Sequence, residues 1–278
     1  MAIILDGKKL RNKILDNLKN KISSFQIKPK LVVILVGNNP ASMIYVGNKQ
    51  KCAQEIGIIS EVINYPSNVT ETELISKIQE LNEDISVNAI LVQLPLPEHI
   101  SKTKIIETIK PEKDVDGFTN YNFGKLFSGD EPFVYPCTPK GILLLLDEYG
   151  IELEGKNAVV IGRSNIVGYP MSQMLLRRNA TVTVCHSHTK NLPQITKTAD
   201  IVVSAVGKNI IKGEMLKNNC VVIDVGIFKD ESGKLHGDVD FDSSSKIASY
   251  ISPVPGGVGP MTIASLMLNT VELFERKL

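Results

Sequence analysis

The stretch Ala158-Val159-Val160-Ile161-Gly162-Arg163-Ser164-Asn165-Ile166-Val167-Gly168 joins a short nonpolar run to a turn bounded by two glycines. The nonpolar run predicts a buried strand, and the residues after the turn predict a helix over about 169–178. A strand, a glycine-bounded turn and a helix in this order allow a phosphate to bind at the helix N-terminus. The spacing G-x-x-x-x-x-G differs from G-x-G-x-x-G, so an ordinary β–α connection remains open.

Strands and helices alternate on both sides of this stretch. Strands are predicted at 31–36, 59–65, 89–93, 158–161, 181–185, 201–204 and 221–225, and helices at about 8–22, 40–56 and 71–83. The length of 278 residues suffices for about two domains of ~100–150 residues each. We therefore predict the α/β class, with two α/β domains flanking a cleft, of which the C-terminal one is a Rossmann-like doubly wound parallel sheet.

Two segments outside these elements have a marked composition. Residues 119–136 are rich in Asn, Gly, Ser, Asp and Pro, which predicts a linker or a long loop. Thr138 and Pro139 then begin a helix that ends at Gly150. Three prolines and three glycines give the loop 253–262 a defined shape, and Thr262 is predicted to be the N-cap of a helix with a nonpolar stripe.

Charge and composition exclude several classes of partner. Lysine and arginine total 31 against 30 acidic residues, so we expect no nucleic-acid and no membrane partner and instead a small molecule. No nonpolar run approaches ~18 residues and the first residues do not form a signal peptide, so we expect a soluble cytoplasmic protein. The four cysteines lie far apart without a C-x-x-C pair, which predicts reduced thiols that pack as small nonpolar residues, and no metal site.

One face of the helix after the first strand carries Ser42, Tyr45 and Lys49, at positions i, i+3 and i+7. Gln93 ends the third strand, and Asp116 lies in the loop after the next helix. Since parallel strands place their carboxyl ends at one edge of a sheet, we expect these side chains to converge there. Tyr45 as a packing residue and Lys49 as a solvated charge are the alternatives.

Four segments occur in order along the chain: S-M-I-Y-V-G-N-K at 42–49, V-Q-L-P-L-P at 92–97, P-E-K-D-V-D-G at 111–117 and P-V-P-G-G-V-G-P-M-T at 253–262. Together they resemble the bifunctional methylenetetrahydrofolate dehydrogenase/methenyltetrahydrofolate cyclohydrolase family (the FolD type), and the resemblance spans nearly the whole chain. It implies NADP-dependent oxidation of 5,10-methylenetetrahydrofolate to 5,10-methenyltetrahydrofolate, then hydrolysis to 10-formyltetrahydrofolate. It also implies a folate-binding catalytic domain over 1–136, to which the C-terminal helix 262–278 returns, and an NADP-binding Rossmann-like domain over 137–261.

The hydrolysis needs proton transfers that one lysine can perform, and Lys49 is the candidate for them. The resemblance implies the roles of the other three residues, of which Gln93 positions that lysine. Tyr45 stacks on the aminobenzoyl ring of the folate, and Asp116 accepts hydrogen bonds from the pterin. The predicted catalytic set is therefore Lys49, Gln93, Tyr45 and Asp116, and the predicted substrate-binding set is Tyr45, Ser42, Asp116, Pro255, Gly256 and Gly257. Hydride transfer needs orientation above all, whereas hydrolysis needs a group that moves protons.

The end of the predicted strand 181–185 indicates the cofactor. An acid there would bind the ribose 2′-hydroxyl of NAD, but C-H-S-H-T-K at 185–190 contains none. Arg163 and Ser187 suit a 2′-phosphate, and the resemblance points to the same residues, so NADP is predicted. The predicted cofactor-binding set is Gly162, Arg163, Ser164, Ile166, Gly168, Ser187 and Ile227. His186 and His188 also fit a solvated strand end.

By the same resemblance we expect a cytoplasmic homodimer that serves purine biosynthesis. Two rival functions remain open. An NADP-dependent dehydrogenase of the shikimate dehydrogenase type has a similar order of domains, but it leaves V-Q-L-P-L-P and the proline-glycine loop unexplained. A non-enzymatic NADP-binding regulator would have no use for Tyr45, Lys49, Gln93 and Asp116 together.

Overall fold

The computed structural model describes residues 1–230, 233 and 235–277. Its strands are β1 (Ile3–Ile4), β2 (Lys30–Val36), β3 (Ile59–Tyr65), β4 (Ala89–Val92), β5 (Asn157–Ile161), β6 (Thr181–Cys185), β7 (Ile201–Ser204), β8 (Val221–Asp224), β9 (Phe228–Lys229), β10 (Leu235–His236) and β11 (Tyr250–Ile251). Its helices are α1 (Gly7–Ser23), α2 (Pro40–Glu55), α3 (Glu71–Glu83), α4 (Lys102–Thr108), α5 (Asn120–Ser128), α6 (Cys137–Glu148), α7 (Gly168–Arg177), α8 (Leu192–Thr196), α9 (Phe241–Ser244) and α10 (Val258–Glu275), with a 3-10 helix at Gly213–Met215. Every predicted strand is present, with ends that agree to within about a residue.

The chain forms two compact units. The six-stranded unit contains residues 1–12 and 138–262, and the three-stranded unit contains residues 13–137 and 263–278. The predicted domain over 1–136 differs from this division at its beginning, because β1 pairs with β11 and so joins the sheet of the six-stranded unit. A strand of two residues is too short to show a period in the sequence.

The sheet of the six-stranded unit has the strand order β1-β11-β8-β7-β5-β6, and its pairings are parallel. Ile161 of β5 is in register with Cys185 of β6 and Ser204 of β7, and Ser204 is in register with Asp224 of β8. Four strands therefore end at one edge, where ligands bind in sheets of this kind. The structure confirms the predicted Rossmann-like parallel sheet.

The sheet of the three-stranded unit has the order β3-β2-β4 and is also parallel. Alternate residues of β2 face opposite sides, so Leu31 and every second residue after it pack in one nonpolar cluster, and those beginning with Val32 pack in another. Helices α1, α2 and α10 contribute to the first cluster, and α3 and α4 contribute to the second. Because β2 is covered on both faces, its sequence is a continuous nonpolar run.

Side-chain caps fix where two helices of this unit begin. The Thr70 hydroxyl accepts from the Glu73 N–H at 3.2 Å while the Glu73 carboxylate accepts from the Thr70 N–H at 2.9 Å, so α3 begins with a capping box. The Asn39 side chain accepts from two N–H groups in the first turn of α2. The start of the helix that carries Ser42 and Lys49 is thereby defined.

The structure corrects two predictions about connecting segments. Residues 119–136, predicted to be a linker or a long loop, contain helix α5, which Thr119 caps and Gly129 ends in the left-handed conformation. Thr262 is not the N-cap of the C-terminal helix, because α10 already begins at Val258. Pro260 lies in the first turn, where an N–H group has no partner within the helix, so the proline does not interrupt it.

The cysteines pack as their spacing predicts. All four are reduced thiols, and all four are buried. Cys52 and Cys137 lie in one of the nonpolar clusters around β2, and Cys185 and Cys220 lie in a cluster of the six-stranded unit. Within the part of the chain that the structure describes, the helices are too short or too polar to cross a membrane.

A buried amide holds α10 within the three-stranded unit. Asn269 is fully buried, and its Nδ2 donates to the carbonyl oxygens of Val115 and Tyr135, both at 2.9 Å. The same nitrogen lies 3.4 Å from Sγ of Cys137. These bonds connect α10 to the chain on either side of α5, because residue 115 precedes that helix and residues 135 and 137 follow it.

Asn269→Leu should lower the free energy of unfolding by about 2–4 kcal/mol, because one buried and one partly buried carbonyl oxygen lose their donor. Urea denaturation followed by circular dichroism measures the change. Asn20→Leu, at an exposed position of α1 in the same unit, is the matched control and should change stability by less than about 0.5 kcal/mol. Equal stability of the two variants would show that these hydrogen bonds contribute nothing.

Candidate active site

Lys49 and Gln93 meet although they lie on different elements. Lys49 on α2 is only 7% exposed, and its Nζ donates to Oε1 of Gln93 at 3.0 Å. Gln93 directly follows β4, and its Nε2 donates to the carbonyl oxygen of Leu94 at 2.7 Å. This second bond orients the amide so that its oxygen, and not its nitrogen, faces the ammonium group. The lysine nitrogen is therefore held at a defined point.

Tyr45 lies one turn before Lys49 on α2. The Lys49 Nζ is 5.5 Å from the centroid of the Tyr45 ring, which is a cation–π distance. Burial raises the pKa of the Tyr45 hydroxyl, so the phenol stays neutral at physiological pH. Ser42, about one turn further back, is buried. The three predicted residues of α2 thus form one row, in which the tyrosine offers a flat ring.

Asp114 fixes the loop that carries Asp116. Its side chain is buried, Oδ1 accepts from the Gly117 N–H at 3.0 Å, and Oδ2 accepts from the Thr119 N–H at 2.7 Å. Oδ2 also accepts from Nδ2 of Asn122 at 3.0 Å. Gly117 has a φ of 69°, which favours glycine. The first carboxylate of the K-D-V-D-G motif is therefore structural, and the second is the candidate for binding.

Asp116 stands in surroundings that disfavour its charged form. Burial raises the pKa of its carboxyl, and Lys49 opposes that rise. Asp114 raises the pKa further, whereas a hydrogen bond from Cys137 lowers it, and the pKa remains above its ordinary value. The carboxylate is thus poorly solvated and close enough to Lys49 to interact with it. A ligand with N–H donors would stabilise the charged form of this half-buried carboxylate.

The turn 162–168 has no room for side chains at its two glycines. Gly162 has a φ of 118°, and a Cβ there would lie 2.6 Å from the carbonyl oxygen of Ala205. A Cβ at Gly168 would overlap the carbonyl oxygen of Gly162. Helix α7 begins at Gly168 without a side-chain hydrogen bond at its N-cap, Val167. The Tyr169 N–H donates to the carbonyl oxygen of Ser164 at 3.1 Å and Pro170 has no N–H, so the Gly168 N–H remains in this turn to bind an anion such as a phosphate.

Arg163 and Ser187 leave neighbouring strands at the same edge. Ile161 is in register with Cys185, so each of the two residues follows its strand by the same interval. Both side chains are exposed, and no acidic residue lies between β6 and α8. Nδ1 of His186 accepts from the N–H group two residues further on, at 3.2 Å, so this histidine supports its own turn. A cation and a hydroxyl are thus available where an adenosine ribose would lie in a sheet of this kind.

A cavity lies at the ends of β8 and β11 in the six-stranded unit. It is lined by Asp224, Val225, Gly226, Ile227, Lys8, Leu235 and most of the loop 253–260, including Pro255 and Gly256. The Lys8 N–H donates to the carbonyl oxygen of Gly256 at 3.1 Å, and the Gly257 N–H donates to that of Pro253 at 2.8 Å. The predicted residues Pro255, Gly256, Gly257 and Ile227 therefore belong to the six-stranded unit, whereas Ser42, Tyr45, Lys49, Gln93 and Asp116 belong to the three-stranded unit.

Sequence reasoning misses several side chains that shape these sites. Nothing in the spacing of the K-D-V-D-G motif distinguishes the structural Asp114 from Asp116. The spacing of the cysteines predicts only packing for Cys137, yet its thiol donates to the carbonyl oxygen of Val115 at 3.5 Å and lowers the pKa of Asp116. Lys8 belongs to the stripe of charged residues on α1, and only the fold brings it to the cavity. One sequence signal could have identified a structural aspartate: Asp114 lies three residues before Gly117, a spacing that is typical of an aspartate that stabilises a turn.

Two models of protein families match the chain. The catalytic domain of tetrahydrofolate dehydrogenase/cyclohydrolase matches residues 5–116. The NAD(P)-binding domain of tetrahydrofolate dehydrogenase/cyclohydrolase matches residues 136–278. The two matches together cover most of the sequence.

Relatives of known sequence and structure are similar to the chain over its length. The bifunctional protein FolD of Wolbachia sp. subsp. Drosophila simulans (strain wRi) is 56% identical over 276 residues, which are 98% of this chain and 94% of the relative. The bifunctional enzyme FolD-methylenetetrahydrofolate dehydrogenase/cyclohydrolase of Campylobacter jejuni has a TM-score of 0.98 and 52% identity, covering 100% of both chains. The FolD of Trypanosoma brucei, crystallised with NADP cofactor and an inhibitor, has a TM-score of 0.95 and 39% identity, covering 99% of this chain and 98% of that one.

A more distant likeness concerns the first rival function. The shikimate 5-dehydrogenase of Thermus thermophilus has a TM-score of 0.53 and 14% identity, covering 88% of this chain and 96% of that one. At this identity the likeness shows a related fold and no shared activity. The shikimate dehydrogenase alternative is therefore the weaker one.

Proposed function

The chain belongs to the tetrahydrofolate dehydrogenase/cyclohydrolase family, and on that premise we infer that it is a bifunctional enzyme of folate one-carbon metabolism. It oxidises 5,10-methylenetetrahydrofolate to 5,10-methenyltetrahydrofolate with NADP, and it hydrolyses that product to 10-formyltetrahydrofolate. The observation that carries this function is the buried Lys49, with Nζ held 3.0 Å from Oε1 of Gln93 and 5.5 Å from the Tyr45 ring centroid. A lysine fixed beside a flat aromatic ring suits proton transfer on a bound ring system.

In the hydrolysis, water attacks the carbon that bridges N5 and N10 of the methenyl cation. Nζ of Lys49 takes the proton that the water loses and then gives a proton to N5 as the bond between N5 and the carbon breaks. The remaining hydroxyl proton leaves to solvent as the formyl C=O bond forms. Gln93 keeps Nζ in place during both transfers, so one amine acts first as base and then as acid.

The folate would be bound by residues of the three-stranded unit. The half-buried Tyr45 offers its ring to the aminobenzoyl ring of the substrate. Asp116, whose carboxylate is poorly solvated, accepts hydrogen bonds from the N–H groups of the pterin. Ser42, which is buried one turn before Tyr45, is the further substrate-binding residue of this helix. These contacts orient the bridging carbon toward Lys49.

The oxidation needs orientation more than it needs an acid or a base. When bound, NADP supplies the acceptor for the hydride that leaves the methylene carbon, and the lone pairs of N5 and N10 stabilise the remaining cation. Gly162 and Gly168 permit the tight turn whose backbone would lie against the pyrophosphate, since a Cβ at either position would meet a carbonyl oxygen of the protein. Arg163 and Ser187 bind the 2′-phosphate, and Ile227 lines the cavity for the nicotinamide. Ser164 and Ile166 complete the turn between the two glycines.

We further propose that residues 1–136 with the C-terminal helix 262–278 form the folate domain and that 137–261 form the NADP domain. The grouping of residues 263–278 with 13–137 supports this assignment, and the inclusion of residues 1–12 with the six-stranded unit modifies it. The homodimer, the cytoplasmic location and the use of the product in purine biosynthesis are proposals that rest on the family resemblance. Sedimentation velocity tests the homodimer.

The whole function is tested with methylenetetrahydrofolate and NADP as substrates, following NADPH and the methenyl absorbance separately. NADPH should form together with a methenyl species that then decays. Absence of NADPH formation would refute the oxidation, and a methenyl species that decays only at its spontaneous rate would refute the hydrolysis.

Lys49→Met should lower cyclohydrolase turnover by about 10²–10⁴-fold and leave folate binding largely intact, because the group that transfers protons is lost. The decay of the methenyl absorbance measures the rate. Lys51→Met, at an exposed position of the same helix, is the control and should hydrolyse like the wild type. A hydrolysis rate within about threefold of wild type in the Lys49 variant would refute the assignment of Lys49 as the group that transfers protons. Dehydrogenation should survive in part, since hydride transfer needs no proton acceptor.

Asp116 should give substrate binding a dependence on acid pH. Because its pKa is raised, the carboxyl takes up a proton as the pH falls from neutrality through that pKa, and the pterin then loses a charged acceptor. The KM for methylenetetrahydrofolate should therefore rise on the acid side. In Asp116→Asn it should be higher by about 10–150-fold, from a loss of ~1.5–3 kcal/mol, and lack this dependence. Initial rates at saturating NADP measure both, and parallel pH profiles of the two proteins would contradict the role.

Arg163→Ala should raise the KM for NADP by about 10–150-fold and change that for NAD little, since a charge-assisted contact contributes ~1.5–3 kcal/mol. Initial rates with each nucleotide measure the ratio, and NAD serves as the internal control. A wild type that prefers NAD would overturn the assignment of Arg163 and Ser187 while leaving the folate chemistry untouched.

A further inference from the structure

Two buried carboxylates of the six-stranded unit take no part in the chemistry above. Asp224 ends β8 and is 4% exposed, and Asp238 follows β10 and is fully buried. Their partners are backbone N–H groups and one hydroxyl. Burying a carboxylate costs free energy unless it accepts several hydrogen bonds, and the bonds that these two accept connect separate segments of the chain.

The Asp238 carboxylate binds the loop that follows β7. Oδ2 accepts from the Ser204 hydroxyl at 2.9 Å and from the Val206 N–H at 2.7 Å. Oδ1 accepts from the Lys208 N–H at 2.8 Å. One side chain thus sets the path of the chain where β7 leaves the sheet.

The Asp224 carboxylate binds its own loop and the segment that carries Asp238. Oδ1 accepts from the Gly226 N–H at 3.0 Å and from the Asp238 N–H at 2.8 Å, and Oδ2 accepts from the Val239 N–H at 3.0 Å. The loops after β7 and β8 are therefore linked through two carboxylates in series. Movement of one loop would break bonds to the other.

Glycines allow this close packing. A Cβ at Gly226 would overlap the carboxylate of Asp238, and a Cβ at Gly237 would overlap that of Asp224. The sequence D-V-G at 224–226 and the sequence G-D-V at 237–239 are thus complementary. Each carboxylate needs a glycine in the partner segment, which is why the two motifs belong together.

The second of the two linked loops, the one after β8, lines the cavity assigned to the nicotinamide. Asp224, Val225, Gly226 and Ile227 line that cavity together with most of the loop 253–260. We propose that Asp238 and Asp224 are positioning residues that hold the backbone 225–227 in the shape that receives the nicotinamide end of the cofactor. The proposal rests on the proposed dehydrogenase function and goes beyond it, because neither carboxylate takes part in the hydride transfer.

The protonation behaviour of Asp224 is consistent with this role. Burial raises the pKa of Asp224 to about 7, the three N–H donors lower it, and the carboxylate of Asp238 raises it. A carboxyl with a strongly raised pKa is more common at functional sites than elsewhere in a protein.

The test compares Asp238→Asn with Asp242→Asn, an exposed acid of α9 in the same unit. Three properties are measured on the full-length protein. They are kcat and KM of the dehydrogenase with NADP, the dissociation constant of adenosine 2′,5′-bisphosphate, and the rate of cyclohydrolase turnover. The bisphosphate carries the 2′-phosphate end of the cofactor but no nicotinamide, so it reports the rest of the site.

In Asp238→Asn, dehydrogenase kcat/KM for NADP should fall by at least about tenfold, because an amide nitrogen replaces an acceptor for buried N–H groups. Bisphosphate affinity and hydrolysis should stay within about twofold of wild type, and Asp242→Asn should change none of the three. Dehydrogenation within twofold of wild type would overturn the proposal. So would an equal fall in bisphosphate affinity, which would make Asp238 a general support of its unit.

Asp224→Asn provides a second variant if the first does not fold, as judged by circular dichroism. It keeps the shape of the side chain and replaces one acceptor by an NH₂ group. The same pattern across the three measurements is expected, and unchanged dehydrogenation would again overturn the proposal. A wild type that neither oxidises methylenetetrahydrofolate with NADP nor binds the bisphosphate would instead refute the proposed function, and the positioning role with it.

Discussion

Parallel strand pairing determines where side chains can act in both units. In the six-stranded unit the register ends β5, β6, β7 and β8 together, so the turn 162–168 and the residues after β6 lie at one edge. In the three-stranded unit Gln93 continues the ladder, because its N–H donates to the carbonyl oxygen of Ile34 at 2.9 Å. The position of Gln93 is therefore set by backbone hydrogen bonds. Lys49 then needs only the correct start of α2 to meet it.

The fold is predictable wherever the sequence contains a full period of its pattern. The strand β2 is recognised because both of its faces are covered, and α3 is recognised because Thr70 and Glu73 mark its first turn. Elements whose sequence pattern is shorter than one period, or is contradicted by turn-forming residues, are not predicted. The two residues of β1 contain no period, and α5 begins among turn-forming residues that hide its cap at Thr119. Helix α10 begins within a proline-glycine segment whose composition favours a loop.

The residues of the candidate site also fall into those that the sequence predicts and those that it does not. Ser42, Tyr45 and Lys49 are predictable because helical spacing alone places them in one row. The buried acids are not, since Asp114, Asp224 and Asp238 bind backbone N–H groups that the chain's folding brings to them. A sequence records which residues could accept such bonds, but it does not record which N–H groups lack a partner.

The two reactions make different demands, and separate residues meet them. Oxidation removes a hydride and no proton, so it depends on the geometry of the cofactor cavity. It does not need Lys49 as an acid or a base. It also turns the uncharged ring system of the folate into a cation, whose bridging carbon is open to attack by water. In the proposed hydrolysis the product of the first reaction is therefore the electrophile of the second, and the bond of 3.0 Å from Nζ of Lys49 to Oε1 of Gln93 fixes the group to which the proton transfers are assigned.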